Sequence, residues 1–422
     1  MFIFYDIIFL IFSLAYLPVY LFKGKFHPGF SSRLGVLPKG PKFNRPIWVH
    51  AVSVGEVVTV KGLLAALRKD FPDKEFVIST VTPTGNQIAK TIAGKNDFVT
   101  YLPLDFSFIV NRVLNRINPE IFVIAETEIW PNLISLLYNK KIPIVVVNGR
   151  ISDKSFKGYS AIKFLLKPIL NKINFFCVQS KLDAERLFLL GVSKEKIKVT
   201  GNMKFDTCLP RGSSLSEAGE IKKILGLESG GKLFVAASTH PGEEEIILGA
   251  YKTLLKEFPQ LKLLIAPRHP QRSKEVAGQV RDCAFSPVFL STIAVEAREN
   301  FNQVVFILDM VGQLVSFYAA ADVVFVGGSL IKKGGHNILE PAGLGKPVIF
   351  GPQMFNFRDI SELFLKNRGA ILVHSQEELA ENIRYLLGHP AKIQEMSRLA
   401  QKIISENQGA TEKNSQVIRS LV

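Results

Sequence analysis

The sequence places a glutamate, Glu56, where a strand gives way to a helix. It follows the apolar run 46–52 and a turn of small residues that includes Ser53 and Gly55. A carboxylate at such a position can act as a general base toward a hydroxyl group. It can equally complement the dipole of the helix that begins there. This motif alone leaves both interpretations open.

Two further acids, Glu126 and Glu128, follow the apolar run 120–125. Burying a charge is costly unless the charge is paired, and a helix cap would account for only one of the two. Lys204 lies in GNMKFD at the approach to a polar stretch, where it could hold developing negative charge, although a lone lysine is more commonly a solvated surface residue. Arg150, in NGRISD, also follows an apolar run.

The second half of the chain carries segments suited to binding phosphate. Ser238 and Thr239 precede a helix whose first N–H groups could bind an anion, and the Arg268 guanidinium could grip a phosphate with two hydrogen bonds. The glycine-rich stretch 327–342 is the strongest signal, because glycine lets a backbone approach a ligand closely. Glu340 within it could accept hydrogen bonds from ribose hydroxyl groups. The candidates in this stretch are Gly328, Ser329, His336, Asn337, Ile338, Leu339 and Glu340. We interpret the nearby His240 and His269 as residues that shape proline-containing turns.

Short apolar runs alternate with helical patterns, which predicts parallel sheets with helices on both faces. The runs are 46–52, 75–80, 120–125, 142–147, 175–179, 232–237, 261–266, 304–308, 322–326 and 347–350. The polar stretch Asp206–Ser229 divides them and predicts an interdomain linker with one short helix. Ligands of such sheets bind beyond the carboxyl ends of the strands, where most of these motifs fall. We therefore predict an α/β fold with two Rossmann-like domains facing a cleft, the GT-B architecture of glycosyltransferases.

The N-terminal segment predicts a membrane anchor. Residues 1–22 are almost wholly apolar, and about 20 such residues span a bilayer core. Residues 23–45 carry six Lys or Arg and no acid, which places the body of the protein in the cytoplasm. Asp6 and Pro18 keep open the alternative of a helix that lies in the interface. A cleaved signal peptide is disfavoured, because the segment has no basic start.

The composition favours anionic partners. A net charge of +15 arises from 52 Lys and Arg against 37 Asp and Glu, and such a field attracts phosphosugars and anionic lipids. No zinc-finger spacing, KH or RNP signature or arginine-rich run is present, which argues against nucleic acid. The three separated cysteines argue against a disulfide framework or a zinc site, and no Asp-x-Asp metal motif occurs. We expect no metal.

Taken in order, the motifs resemble those of the 3-deoxy-D-manno-octulosonic acid (Kdo) transferases over nearly the whole chain. The matching segments are HAVSVGE, ETEIWPNL, NGRISDKSF, VQSKLDAERLFLLG, GNMKFD, ASTHPGEEE, APRHPQR and GGHNILEPAGLGKPVIFGP. The resemblance implies transfer of Kdo from CMP-Kdo to a lipid A precursor by one inverting displacement. It also implies a location at the cytoplasmic face of the inner membrane, among anionic lipids, and no cofactor.

The resemblance assigns roles to individual residues. Glu56 matches the catalytic base, and Glu126 and Lys204 match groups that stabilise the transition state, with Glu128 a near alternative. The CMP-binding matches are Pro267, Arg268, Asn337, Ile338, Leu339 and Glu340. A further CMP-binding stretch usually reads DTMGEL but here reads DMVGQL, in which Gln313 replaces the acid. Its candidates are Asp309, Met310, Val311 and Gly312.

The expected organisation is an anchor over residues 1–22, an acceptor-binding domain over 23–208, a CMP-Kdo-binding domain over 209–390 and a helical tail over 391–422. The alternative enzyme is another GT-B member, such as a UDP-sugar transferase or a nucleotide-sugar epimerase, against which the motif order argues. A non-catalytic, membrane-anchored protein that binds nucleotide sugars or lipids is the alternative of a different class. The retention of Glu56, Glu126 and Lys204 argues for catalysis.

Overall fold

A computed structural model describes residues 5–11, 13–15, 29–38, 43–208, 212–227, 230–292 and 303–422. The chain forms two compact units. The first comprises the described residues up to Thr207 together with Asn407–Val422, and the second comprises Cys208–Glu406. Each unit is an α/β layer structure built on its own parallel sheet.

Seven parallel strands form the sheet of the first unit. They are β1 (Ile47–His50), β2 (Phe76–Thr80), β3 (Phe98–Tyr101), β4 (Ile121–Ala125), β5 (Ile144–Gly149), β6 (Phe175–Val178) and β7 (Ile197–Val199). Their spatial order is β3-β2-β1-β4-β5-β6-β7. The chain turns back between β1 and β4, and the crevice at such a point is where doubly wound sheets bind ligands.

Helices cover both faces of this sheet. They are α1 (Phe30–Arg33), α2 (Val54–Asp70), α3 (Pro83–Ile92), α4 (Ser107–Ile117), α5 (Pro131–Asn139), α6 (Asp153–Ala161), α7 (Lys163–Leu170) and α8 (Lys181–Leu189). Side chains along β1 alternate between the two faces of the sheet, and helices bury them on both faces. Trp48 packs into the core beneath α4 and α5, whereas Ile47 and Val49 pack into the core beneath α2.

The second unit repeats the plan. Its strands are β8 (Lys232–Thr239), β9 (Leu261–Pro267), β10 (Ser286–Phe289), β11 (Val304–Ile307), β12 (Val323–Val326), β13 (Val348–Phe350) and β14 (Ile371–Leu372). Their order is β10-β11-β9-β8-β12-β13-β14, so the corresponding crevice lies between β8 and β12. The helices are α9 (Gly212–Ile224), α10 (Glu244–Leu254), α11 (Ser273–Asp282), α12 (Leu314–Ala320), α13 (Leu339–Gly343), α14 (Arg358–Lys366), α15 (Gln376–Gly388) and α16 (Pro390–Asn407).

The last helix, α17 (Ala410–Arg419), belongs to the first unit. Ala410, Val417 and Ile418 are buried in the core beneath α2. The Asp206 carboxylate accepts hydrogen bonds from the backbone N–H groups of Gly409 (2.7 Å) and Thr411 (2.6 Å) at the start of this helix. The residues of the predicted helical tail over 391–422 are divided between the units, because residues up to 406 pack with the second unit and the rest complete the first.

The ten apolar runs are confirmed as strands, but the sequence missed β3, β7, β10 and β14. These four are the edges of the two sheets. An inner strand is buried on both faces and reads as a continuous apolar run, whereas these edge strands are largely half-buried or exposed. The predicted linker contains α9, which packs on α12 within the second unit.

The predicted anchor over residues 1–22 lies partly outside the described residues. Residues 5–11 and 13–15 are helical. Within the described ranges, no helix is both long enough and apolar enough to cross a membrane.

Candidate functional site

Glu56 occupies the first turn of α2, directly beyond the end of β1. Its Oε2 accepts a hydrogen bond from the Val52 backbone N–H (2.7 Å), and its Oε1 accepts one from the Ser53 hydroxyl (3.2 Å). Burial, helped by the negative charges of Glu126 and Glu128, raises the pKa of Glu56 to about 7 against the lowering effect of these two hydrogen bonds. The side chain therefore holds the turn that leads into the helix and is also poised to exchange a proton near neutral pH.

Glu126 and Lys204 meet beyond the neighbouring strand. Glu126 directly follows β4 and adopts the left-handed backbone conformation, with φ of 58°. This conformation is strained for a residue other than glycine, and residues held in it cluster at functional sites. The Lys204 ammonium lies 3.6 Å from its Oε1. Burial raises the pKa of Glu128, and the charge of Glu126 adds to this. Three carboxylates and one ammonium thus share the crevice between β1 and β4.

A chain of amide side chains fixes the backbone that carries Lys204. The Lys204 N–H donates to Asn202 Oδ1 (3.0 Å), and Asn202 Nδ2 donates to Gln179 Oε1 (2.9 Å). Gln179 in turn donates to the carbonyl of Asn148, whose own Oδ1 accepts from the Met203 N–H (2.9 Å each). Asn148 is fully buried at φ of 52°, a conformation that asparagine tolerates well. The ends of β5 and β6 therefore position Lys204.

Arg150 and Thr127 link the next strand to the loop 126–130, the acidic loop, which contains Glu126 and Glu128. The Arg150 N–H donates to Thr127 Oγ1 at 3.0 Å, so the end of β5 is tied to the segment between Glu126 and Glu128. The predicted residues Ser53, Gly55, Glu56, Glu126, Glu128, Arg150 and Lys204 all lie in the first unit, at or near strand ends.

In the second unit, the carboxylate of a buried glutamate, Glu243, binds the glycine-rich turn that follows β12. Glu243 accepts hydrogen bonds from the backbone N–H groups of His240 (3.1 Å), Gly328 (2.6 Å), Ser329 (3.0 Å) and Leu330 (3.0 Å). The N–H groups of Gly328 and Ser329 are therefore bound within the chain, and these residues shape the turn instead of donating to a ligand.

Close approach explains the first glycine of this turn. A Cβ on Gly327 would lie 2.7 Å from the Ser238 carbonyl oxygen and 2.9 Å from Glu243 Oε2. Ser238 itself has φ of 54°, at an irregularity in the pairing of β8 with β9. Thr239 Oγ1 donates to Glu244 Oε1 (2.9 Å), which also binds Arg272. The predicted residues Ser238 and Thr239 thus lie beside the glycine-rich turn.

Two histidines close this crevice. His240 Nε2 and His336 Nε2 lie 2.9 Å apart, and the rings stack with their centroids 5.1 Å apart. Burial lowers the pKa of each to about 4, and the positive charge of Arg268 contributes. Both are therefore neutral at pH 7, so one ring donates its N–H to the other.

Arg268 and Glu340 lie around the same histidines. Arg268 is exposed at the end of β9, and its charge partly offsets the burial that raises the pKa of Glu340. Asn337 Nδ2 donates to Glu340 Oε1, and the Leu339 N–H donates to Asn337 Oδ1 (3.1 Å each). The helix begins at Leu339, two residues after Asn337. The predicted donor residues Pro267, Arg268, His336, Asn337, Ile338, Leu339 and Glu340 surround one crevice.

The divergent loop 309–314 is held by its first residue. The Asp309 carboxylate accepts hydrogen bonds from the N–H and hydroxyl of Ser291. Val311 is 86% exposed, and Gly312 has φ of 88°. Asp309 therefore ties the loop to the 3₁₀ turn after β10. The Val311 side chain is exposed to solvent, whereas Met310 is half-buried.

Known proteins match both units. The 3-deoxy-D-manno-octulosonic-acid transferase (Kdo transferase) family matches this chain over residues 28–207. A second family, described as glycosyl transferase-like, matches residues 308–411. A 3-deoxy-D-manno-octulosonic acid transferase of Haemophilus influenzae is 36% identical, over 87% of this chain and 85% of its own length. One of Chlamydophila psittaci is 33% identical, over 90% and 88%.

This chain belongs to the Kdo transferase family.

The fold of this Kdo transferase also resembles solved structures outside the family. The UDP-GlcNAc 2-epimerase of Neisseria meningitidis superposes with a TM-score of 0.58 at 14% identity, over 89% of this chain and 99% of that one. Identity this low shows shared architecture alone: two Rossmann-like α/β domains. The prediction of an enzyme that transfers a glycosyl group is confirmed by the family match.

Sequence reasoning gave no role to several residues that build the transferase's crevices. Asn148 and Gln179 position Lys204, and Glu243 holds the glycine-rich turn. A signal existed for Asn148, because Asn-Gly after an apolar run marks left-handed backbone. Three successive glutamates obscured Glu243. Within the parts of the chain that the structure describes, no group of three or more His, Cys, Asp or Glu side chains is arranged to hold a metal ion.

Proposed function

We propose that this transferase moves Kdo from CMP-Kdo to a lipid A precursor, lipid IVA, by one inverting displacement in which Glu56 is the general base. The observation that carries the proposal is the placement of Glu56. Its carboxylate lies beyond the end of β1, beside β4, with a pKa raised to about 7. A base is most effective when its pKa is close to the working pH.

In the proposed step, a hydroxyl oxygen of the acceptor attacks the anomeric carbon of Kdo. The bond from that carbon to the phosphate oxygen breaks, and CMP leaves with the electron pair. The hydroxyl proton passes to Glu56, which later releases it to solvent. Attack from the face opposite CMP inverts the configuration of the anomeric carbon.

Charge stabilisation is assigned to Glu126 and Lys204. Their 3.6 Å ion pair lies beside Glu56, and fixed charges of this kind stabilise a transition state because they need no reorganisation during reaction. Glu128, with its raised pKa, contributes negative potential that keeps the Glu56 carboxylate basic. An oxocarbenium-like anomeric carbon would be stabilised by the Glu126 carboxylate.

CMP is assigned to the second unit. Arg268 provides an exposed guanidinium at the end of β9, and the Asn337–Glu340 pair lies beside it at the start of α13. We propose that Arg268 holds the phosphate and that Glu340 accepts hydrogen bonds from the ribose. Arg268 and Lys204 supply positive charge, so we propose that the reaction needs no metal ion.

We also propose that residues 1–22 attach the transferase to the inner membrane, with its body on the cytoplasmic face. Five apolar side chains of the helical residues 5–11 and 13–15 are about half exposed or more: Ile7, Ile8, Leu10, Ile11 and Leu14. In α7, Phe164 (74%) and Leu165 (53%) are exposed as well. Lysines of the same helix flank Phe164 and Leu165, and their positive charges suit anionic lipid headgroups.

The proposal is tested by incubating the purified transferase with CMP-Kdo and tetra-acylated lipid A precursor. Mass spectrometry should show the acceptor mass increased by one or more Kdo residues, and NMR of the product should show inverted anomeric configuration. Retained configuration would refute the single displacement. Transfer to a water-soluble sugar in preference to the lipid would refute the acceptor.

A further inference from the structure

Asp6, from the N-terminal helical segment (residues 5–11 and 13–15), contacts two other helices of the first unit. Its Oδ1 accepts hydrogen bonds from the Ser107 backbone N–H (3.0 Å) and from Asn132 Nδ2 (2.6 Å), and its Oδ2 accepts one from the Ser107 hydroxyl (2.5 Å). Ser107 begins α4 and Asn132 lies in the first turn of α5. An acid in a largely apolar segment therefore makes specific contacts within the unit.

Asn132 is the junction between this segment and the acidic loop. It is 2% exposed, and its N–H and that of Leu133 donate to the two carboxylate oxygens of Asp105 (3.0 and 2.8 Å). Its Nδ2 also donates to the Asp105 carbonyl (2.6 Å). The acidic loop 126–130 runs directly into α5. Asp105 and Asp6 thus hold the helix start that ends this loop.

The N-terminal helical segment has two distinct faces. On the inner face, Phe9 packs edge to face on Phe106 with ring centroids 4.9 Å apart, and Tyr5 stacks on Phe9 at 5.9 Å. Asp6 lies on the same side of the segment as these contacts. On the outer face, Ile11 is 63% exposed and Leu14 is 58% exposed. The residues that dock this segment on the first unit therefore differ from the exposed residues available to lipid, so substitutions can alter one set without the other.

We propose that Asp6 is a positioning residue for the acidic loop 126–130, so that docking of the N-terminal helical segment sets the rate of transfer as well as any attachment to lipid. The inference rests on the proposed function, because it depends on the role of Glu126. Without Asp6, the Asn132 amide loses an acceptor and α5 loses one of its two carboxylate ties. A shift of about 1 Å in a catalytic group can lower a rate by about 100-fold.

Three full-length variants, assayed in detergent micelles so that attachment does not limit the rate, test the inference. Asp6→Ala should lower kcat by about tenfold or more with the KM for CMP-Kdo unchanged. Asp6→Asn should keep kcat within about twofold of the wild type, because its Oδ1 can accept from Ser107 and Asn132 while its Nδ2 donates to the Ser107 hydroxyl. The matched control, Ile11→Ser, changes the outer face alone and should keep kcat while weakening binding to vesicles.

Hydrogen exchange provides a readout that does not depend on turnover. The peptide spanning residues 126–139 should exchange faster in Asp6→Ala than in the wild type, and at wild-type rate in Asp6→Asn and Ile11→Ser. Absence of turnover in the wild type would refute the proposed function yet leave this comparison intact. Wild-type exchange in Asp6→Ala, or faster exchange with unchanged kcat, would overturn the positioning role.

Discussion

Replacing Glu56 with glutamine separates its catalytic role from its structural one. The substitution keeps the size of the side chain and both hydrogen bonds, because the new carbonyl can accept from the Val52 N–H and the new NH₂ can donate to Ser53 Oγ. What it removes is the ability to take a proton. A positioned general base contributes typically about 10²–10⁴-fold, so kcat should fall by about that factor.

The stability of the same variant should change in the opposite direction. Each pKa unit corresponds to about 1.4 kcal/mol, so raising the pKa of Glu56 from 4.5 to about 7 destabilises the ionised folded form by about 3 kcal/mol at most. Because the folded pKa lies above the unfolded one, the wild type loses this stability as the pH rises from about 4.5 to 7. Glu56→Gln should therefore melt higher than the wild type above pH 7 and equally near pH 4.

The assay combines turnover with CMP-Kdo, CMP affinity by calorimetry and thermal unfolding from pH 4 to 8. Glu378 provides the matched control, since it lies at the third position of α15 after Ser375 and accepts the His374 N–H at 2.8 Å, much as Glu56 accepts the Val52 N–H. Glu378→Gln should keep normal turnover, and CMP affinity should be unchanged in both variants. Near-normal turnover of Glu56→Gln would refute the base assignment, and a lower melting temperature above pH 7 would refute the electrostatic reasoning.

Four other outcomes are expected. Wild-type kcat should fall as the pH drops below about 7, because Glu56 becomes protonated; a rate that is flat from pH 5 to 8 would contradict this. Arg268→Ala should weaken CMP binding by about tenfold or more through loss of a charge-assisted contact, measured by calorimetry, with Lys274→Ala on α11 as a surface control. Activity should survive EDTA, whereas loss restored by magnesium would show that positive side chains do not suffice. Deletion of residues 1–22 should release much of the transferase from membranes and leave a salt-sensitive association with anionic vesicles; salt-insensitive binding to neutral vesicles would contradict that.

The sequence predicted the inner strands and the strand-end motifs because both are local signals. A buried strand such as Ile121–Ala125 reads as one apolar run, and the acids that follow it stand out against it. The four edge strands lack that contrast. The return of Ala410–Arg419 to the first unit depends on packing between segments more than 300 residues apart, which periodicity does not encode.

The candidate site shows the same division. Residue type and position made Glu56, Glu126 and Lys204 candidates, and the family resemblance assigned their roles. The contacts that hold these three residues in place were not predicted. Asn148 binds Met203 across 55 residues, and Asp6 binds Asn132 across 126. Hydrogen bonds of this kind depend on the three-dimensional course of the chain. The pKa of Glu56 likewise depends on burial and on two acids that follow it by about 70 residues.

Because α17 follows the second unit in the sequence, the first unit cannot be completed before the second has been made. Ala410, Val417 and Ile418 complete the core beneath α2, yet the ribosome makes them only after the whole second unit has been translated. During synthesis, domains generally fold as units and the N-terminal one folds first. Here the second unit can close while the first still exposes the apolar face of the helix that carries Glu56. Nascent chains at this stage are the ones that chaperones should bind, because the core beneath α2 stays incomplete until α17 has been made.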